Sequence, residues 1–276
     1  MMLVPTSAII EQAVRGGTGV GAFNVITLEH AEGIVTGAET VGQPVVLQVS
    51  QNCVKFHGGH LLPIARAAAA VAAESSVPVA LHLDHIEDEV LLRQAADAGF
   101  ASVMVDASTL PYAQNVAATR EAARWAHRSG LWVEAELGEV GGKDGAHAPG
   151  VRTDPKDAAR FVAETGVDAL AVAVGSSHAM TTQTASLDLE LISRIRSCVP
   201  VPLVLHGSSG VPDDQLRDAV RHGMVKINIG TALNVAFTET IQAADLRVSD
   251  PRKYLAPARE AIAHTVAHLL GVLSSA

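Results

Sequence analysis

Val77-Pro78-Val79-Ala80-Leu81-His82-Leu83-Asp84-His85 is a short apolar run that ends among ionisable side chains, and an amphipathic stretch follows it over 87–97. A run of this length with no polar alternation predicts a strand covered on both faces of a parallel sheet, and the stretch after it predicts a crossover helix. The same unit recurs along the chain. Candidate strands fall at 19–25, 44–50, 77–84, 102–108, 132–138, 169–175, 201–207 and 225–231, with helices after them, for instance over 28–41, 111–129 and 213–221. Gly99, Gly166 and Gly223 mark helix stops. Eight strand–helix units predict an α/β chain folded as one (β/α)8 TIM barrel, a single domain over 1–276. A doubly wound dinucleotide-binding sheet is disfavoured, because Gly16-Gly17-Thr18-Gly19-Val20-Gly21 precedes or opens the first strand instead of following it.

Composition narrows the function classes. With 48% hydrophobic residues in 276, the chain can bury a large core. Its formal net charge of -9, with no basic cluster, argues against nucleic-acid and membrane-surface partners. Cys53 and Cys198 stand far apart and outside any CxxC pattern, so neither a disulfide framework nor a thiolate zinc site is suggested. No basic segment leads into an apolar stretch with a cleavage site, and the alanine-rich run at 67–73 is too short to span a bilayer. The expectation is a cytoplasmic protein.

In a barrel of this class the strand C-termini carry the active site. They present Asn24, Ser50, Asp84, His85, Asp106, Glu136, His178, His206 and Asn228. His85, His178 and His206 each fall just past an apolar strand, and three neutral imidazoles with one open position make a catalytic zinc site in which Asp84 can move a proton. Singly, each residue has a plainer explanation, as a hydrogen-bonded core group or a helix cap. Alternation puts His82 on the face of Asp84 and His85 on the other, so spacing does not choose between His82 and His85 as ligand. His57 with His60, and His264 with His268, are weaker candidates that fit caps and solvated helix faces. The segments 139–154 and 176–187 are long enough to act as lids.

Six motifs, His82-Leu83-Asp84-His85, the run 102–108, 133–138, Gly175-Ser176-Ser177-His178, 205–210 and 226–231, in this order and spacing, resemble the class II zinc-dependent ketose-bisphosphate aldolases. The resemblance runs from Gly21 to Leu255 and is nearest the fructose- and tagatose-bisphosphate branch. It implies that His85, His178 and His206 bind zinc, that Asp84 is the proton donor, and that Asp106 and Glu136 can hold a second or alternate metal location. It also implies that Gly207, Ser208, Ser209, Asn228, Gly230 and Thr231 bind the phosphate of dihydroxyacetone phosphate, with a monovalent cation (Na+ or K+) nearby. Asn24 and Ser50 would line the same mouth, and Arg259 would reach the second phosphate across a subunit boundary in a homodimer or homotetramer. The carbon base, a glutamate in the family, aligns with Asp144, with Glu139 as substitute. Ala179 stands where the family usually has glycine, beside the phosphate loop, and 230–232 lack the acidic residues of the fructose-bisphosphate enzymes.

The leading expectation is reversible aldol cleavage of fructose 1,6-bisphosphate, with tagatose 1,6-bisphosphate or another ketose phosphate as alternatives. Schiff-base chemistry through Lys226, which alternation puts on the face of Asn228, is a rival mechanism whose plainer counterpart is a salt bridge inside the barrel. A sugar-phosphate-binding barrel impaired by the Asp144 and Ala179 changes is the reading from a different class.

Overall fold

The computed structural model describes residues 2–138 and 151–275. Eight parallel strands close in sequence order into a barrel: β1 Val20–Asn24, β2 Val45–Ser50, β3 Val79–Ile86, β4 Ser102–Val105, β5 Trp132–Leu137, β6 Ala169–Val172, β7 Leu203–Leu205 and β8 Met224–Ile229. The closure between β8 and β1 pairs Val20 with Lys226 and Ala22 with Asn228. It removes both sheet edges and rules out the doubly wound alternative.

Helices surround the strands: α1 Thr6–Gly16, α2 Leu28–Val41, α3 Gln51–Phe56, α4 Leu61–Glu74, α5 Glu89–Leu92, α6 Ala95–Ala98, α7 Tyr112–Arg128, α8 Pro155–Thr165, α9 Leu189–Cys198, α10 Asp213–Arg221, α11 Thr231–Ala243 and α12 Arg252–Ser274. Outward-facing Leu47, Leu81, Leu83, Val133, Leu170, Leu205 and Ile227 join the helices in one large apolar cluster, and all are wholly buried. The single helix expected over 87–97 is instead the short pair α5 and α6, which meet at Arg93 and Gln94. Gly99 and Gly166 end α6 and α8 in the left-handed conformation, and Gly223, two residues past α10, also has positive φ. No helix among the described residues is long and apolar enough to cross a membrane.

Helix α1 was not expected from the sequence. It packs Ile9, Ile10 and Ala13 against Val20, Val46 and Ala80, closing the N-terminal end of the barrel. From it a buried polar line runs inward, because Thr6 Oγ1 is 2.6 Å from Ser102 Oγ, which is 2.8 Å from His82 Nδ1. β4, β6 and β7 end at Val105, Val172 and Leu205, short of the expected ends, so Asp106, His178 and His206 stand on the loops beyond them.

Candidate active site

Alternation on β3 turns Ala80, His82 and Asp84 into the barrel and would turn His85 out to the helices. The backbone prevents this. His85 has φ 50°, and the β3–β4 register shifts between Leu83 and Ile86, so the strand bulges and His85 swings over the mouth. Both histidines therefore point inward at different depths: His82 is wholly buried, while His85 reaches the rim.

At that rim the rings of His85, His178 and His206 converge, with centroids 4.8, 5.3 and 5.7 Å apart. Each offers a nitrogen, and these donor atoms lie within 4.8 Å of one another. A tetrahedral zinc with bonds of about 2.0–2.1 Å draws its donors to roughly 3.4 Å, a closure that ring rotation supplies. Charge favours the ion as well. Asp84, Asp106, Glu134 and Glu136 are all buried about the three rings, while Lys226 is the only buried lysine or arginine among the described residues. An excess of buried carboxylate of this kind calls for a bound cation.

The carboxylates orient the donors. Asp106 Oδ2 is 2.7 Å from His85 Nδ1, and its Oδ1 accepts from Ser108 Oγ at 2.7 Å, so Nε2 is the nitrogen that His85 could offer a metal. His206 is held between Glu134 Oε1, 2.9 Å from Nε2, and Glu136 Oε2, 2.9 Å from Nδ1. Burial lowers the pKa of this ring, but the two carboxylates outweigh it and push it up to about 9. The metal-free ring thus holds its second proton at neutral pH, and a metal ion must displace that proton. Apparent zinc affinity of the metal-free protein is expected to rise about tenfold per pH unit towards pH 9 and to level off above it, measured by competition with a chromophoric chelator.

Asp84 is paired in register with Ser50 and is buried beneath the mouth, 3.8 Å from His85 Nε2. Burial raises its pKa, yet the charges of His85, Lys226, His82 and His206 prevail and hold it below the usual carboxylate range. The carboxyl is therefore ionised and ready to accept a proton.

The mouth is a cavity of about 730 Å³. Asn24, Ser50, Asp84, His85, Asp106, His178, Ala179, Gly207, Ser209, Asn228, Gly230 and Thr231, all expected from the sequence, line it. Gly207 has φ 66°, and a Cβ there would lie 2.5 Å from the backbone carbon of Ser177, so only glycine lets the loop after β7 close on the one carrying His178. Ser209 Oγ accepts from Ala232 N at 3.0 Å, tying that loop to the N-terminus of α11. Other expectations land differently. Ser208 is buried, its hydroxyl on the Leu205 carbonyl, and Ser50 Oγ caps α3 by accepting from Cys53 N. Arg259 is not on the mouth of its own barrel but pairs with Glu32 on the outer face of α2 and α12, at 2.6 Å. Lys226 donates to Asn228 Oδ1 at 2.7 Å and pairs with Glu134 at 2.8 Å, the internal salt bridge and not an open amine. His57 bonds the Ile26 carbonyl, and His268 pairs with Asp213. Glu139 and Asp144 lie outside the described residues, as does most of the expected lid at 139–154.

The sequence reading missed Glu134, Gln48, Gln51 and Lys55. Glu134 was legible, because it shares the parity of Glu136 two residues on. Gln48, which donates to Asn24 Oδ1, was legible by the same rule on β2. Lys55, on a short helix at the rim, carries no such signal.

Ala179 has φ 58°, and with His85 it is one of two non-glycine residues in the left-handed region among those described. Strain of this kind gathers at working sites. Ala179→Gly is expected to raise stability by about 1 kcal/mol or slightly less, read by urea denaturation of the metal-free protein.

A closed eight-stranded barrel with three convergent imidazoles and a buried carboxylate at one rim has the makeup of a metal-dependent barrel enzyme. The family model for fructose-bisphosphate aldolase class-II matches residues 4–276, and the chain belongs to that family, the metal-dependent carbon–carbon lyases. It is 39% identical over 272 residues to the fructose-bisphosphate aldolase of Geobacillus stearothermophilus, covering 96% of this chain and 95% of that one. Among solved structures it is similar to the YdjI aldolase of Escherichia coli K12, with a TM-score of 0.87 and 31% identity over 99% of this chain and 97% of that one. A putative fructose-1,6-biphosphate aldolase from Coccidioides immitis superposes with a TM-score of 0.86 at 28% identity, over 97% and 96% of the two chains.

Proposed function

We propose that this protein cleaves fructose 1,6-bisphosphate reversibly to dihydroxyacetone phosphate and glyceraldehyde 3-phosphate. The observation that carries this reading is the cluster of His85, His178 and His206 at one end of the barrel, with Asp84 beside it and a mouth above lined by glycine backbone and hydroxyls at the start of α11. His85, His178 and His206 would hold a zinc ion, which would supply positive charge for the negative charge that develops as the C3–C4 bond breaks. Asp84 takes the proton of the C4 hydroxyl, and its electron pair closes the new aldehyde carbonyl. Asp144 is proposed as the group that returns a proton to carbon. Gly207, Ser209, Gly230 and Thr231 bind one phosphate through backbone N–H groups and hydroxyls at the helix N-terminus.

The second phosphate needs a cation, and Lys55 is the only lysine or arginine lining the mouth among the described residues. Lys55→Ala is expected to raise KM for the bisphosphate about tenfold and to leave KM for fructose 1-phosphate unchanged, the difference marking one charge-assisted contact. Arg259 contributes in this reading only by entering the mouth of a second copy in a homo-oligomer. Free Cys53 and Cys198 suit a reducing, cytoplasmic setting. Coupled cleavage of fructose and tagatose 1,6-bisphosphates, with chelator and with zinc restored, tests the substrate. Chelator-sensitive turnover of the fructose ester supports the proposal; turnover of the tagatose ester alone, or of neither, overturns it.

A further inference from the structure

Beneath the rim histidines lies a second group of metal-donor atoms. His82 Nε2 is 3.7 Å from Asp84 Oδ1 and 3.9 Å from Glu134 Oε2, and the three lie within 4.8 Å of one another. The three residues are 0, 1 and 0% exposed, and neither His82 Nε2 nor Asp84 Oδ1 makes a hydrogen bond. Two carboxylates and an imidazole form a more anionic pocket than three imidazoles, so on charge alone a divalent ion prefers the deeper group. Lys226 stands against this group on its Glu134 side. Its Nζ is 2.8 Å from Glu134 Oε2, and its charge bears on His82, Asp84 and Glu134 together.

We propose that Lys226 is a tethered cation that fills this buried site and so confines the metal ion to His85, His178 and His206. The inference rests on the class II reading of the rim. The consequence for the reaction lies in Asp84, which belongs to the deeper group. A divalent ion there would commit its carboxylate as a ligand, whereas a single ammonium held by Glu134 and Asn228 leaves Asp84 able to carry a proton at the mouth. Lys226 is in this sense a positioning residue, acting through where the metal can sit.

Cobalt(II) is the probe, with ion content and visible absorption read on the full chain as wild type, His178→Ala, Lys226→Met, Lys226→Arg and the His178→Ala/Lys226→Met double variant. Expected are one ion in the wild type, a second in Lys226→Met, and none added in Lys226→Arg. His178→Ala should lose most of its cobalt, and the double variant should regain an ion whose weaker visible bands report carboxylate ligands at higher coordination number. A folded Lys226→Met that stays at one ion, with a double variant no better than His178→Ala, overturns the proposal. Should Lys226→Met be unfolded, recovery of native circular dichroism on adding cobalt supports it, and failure to recover overturns it. Absence of cobalt from the wild type would instead overturn the assignment of the rim histidines as metal ligands, which keeps the two failures apart.

Discussion

His206→Ala is expected to emerge from dialysis without zinc and to cleave substrate at a rate lower by well over the roughly 100-fold that loss of an outer-shell partner costs. His206 is the wholly buried member of the three, gripped by Glu134 and Glu136 at 2.9 Å on its two nitrogens. Its removal deletes one donor and also leaves those two carboxylates without the ring between them. Elemental analysis for zinc, beside the coupled cleavage assay and a urea titration to establish folding, measures the effect. Stoichiometric zinc with near-wild-type turnover would show that the rim histidines are not the ligands.

Asp84→Asn separates proton transfer from metal retention. The amide keeps the size and shape of the carboxyl but cannot take a proton from the C4 hydroxyl, so kcat is expected to fall by about 10²–10⁴-fold. Zinc content should be unchanged, because Asp84 is not one of the three rim donors. Turnover within a few-fold of wild type would move the acid–base role elsewhere on the mouth. Read together, the variants distinguish a ligand, whose loss removes both zinc and turnover, from an acid–base group, whose loss removes turnover alone.

Pairing of neighbours determined how much of this was readable beforehand. Apolar runs and glycine stops are local, and they were enough for eight strand–helix units and for the residues at the strand ends. The break of 87–97 into α5 and α6 was hidden because the run stays amphipathic through Arg93 and Gln94. Helix α1 has no strand before it, so the strand–helix pattern does not announce it, although its role as a plug follows from Ile9, Ile10 and Ala13 sharing a face.

What the sequence by itself determined is the barrel, the rim that carries chemistry, and His178, His206 and Asp84 upon it. The choice of His85 over His82 came from the sequence only through family resemblance; physically it depends on a left-handed residue and a register shift, which alternation cannot encode. The tertiary structure alone decided that Glu134 of β5, Lys226 of β8 and His206 after β7 meet, and that Arg259 faces away from its own mouth. The physical reason is that periodicity fixes the face a side chain presents along its own strand, while its height against residues of other strands is set by the tilt and stagger with which the whole sheet closes.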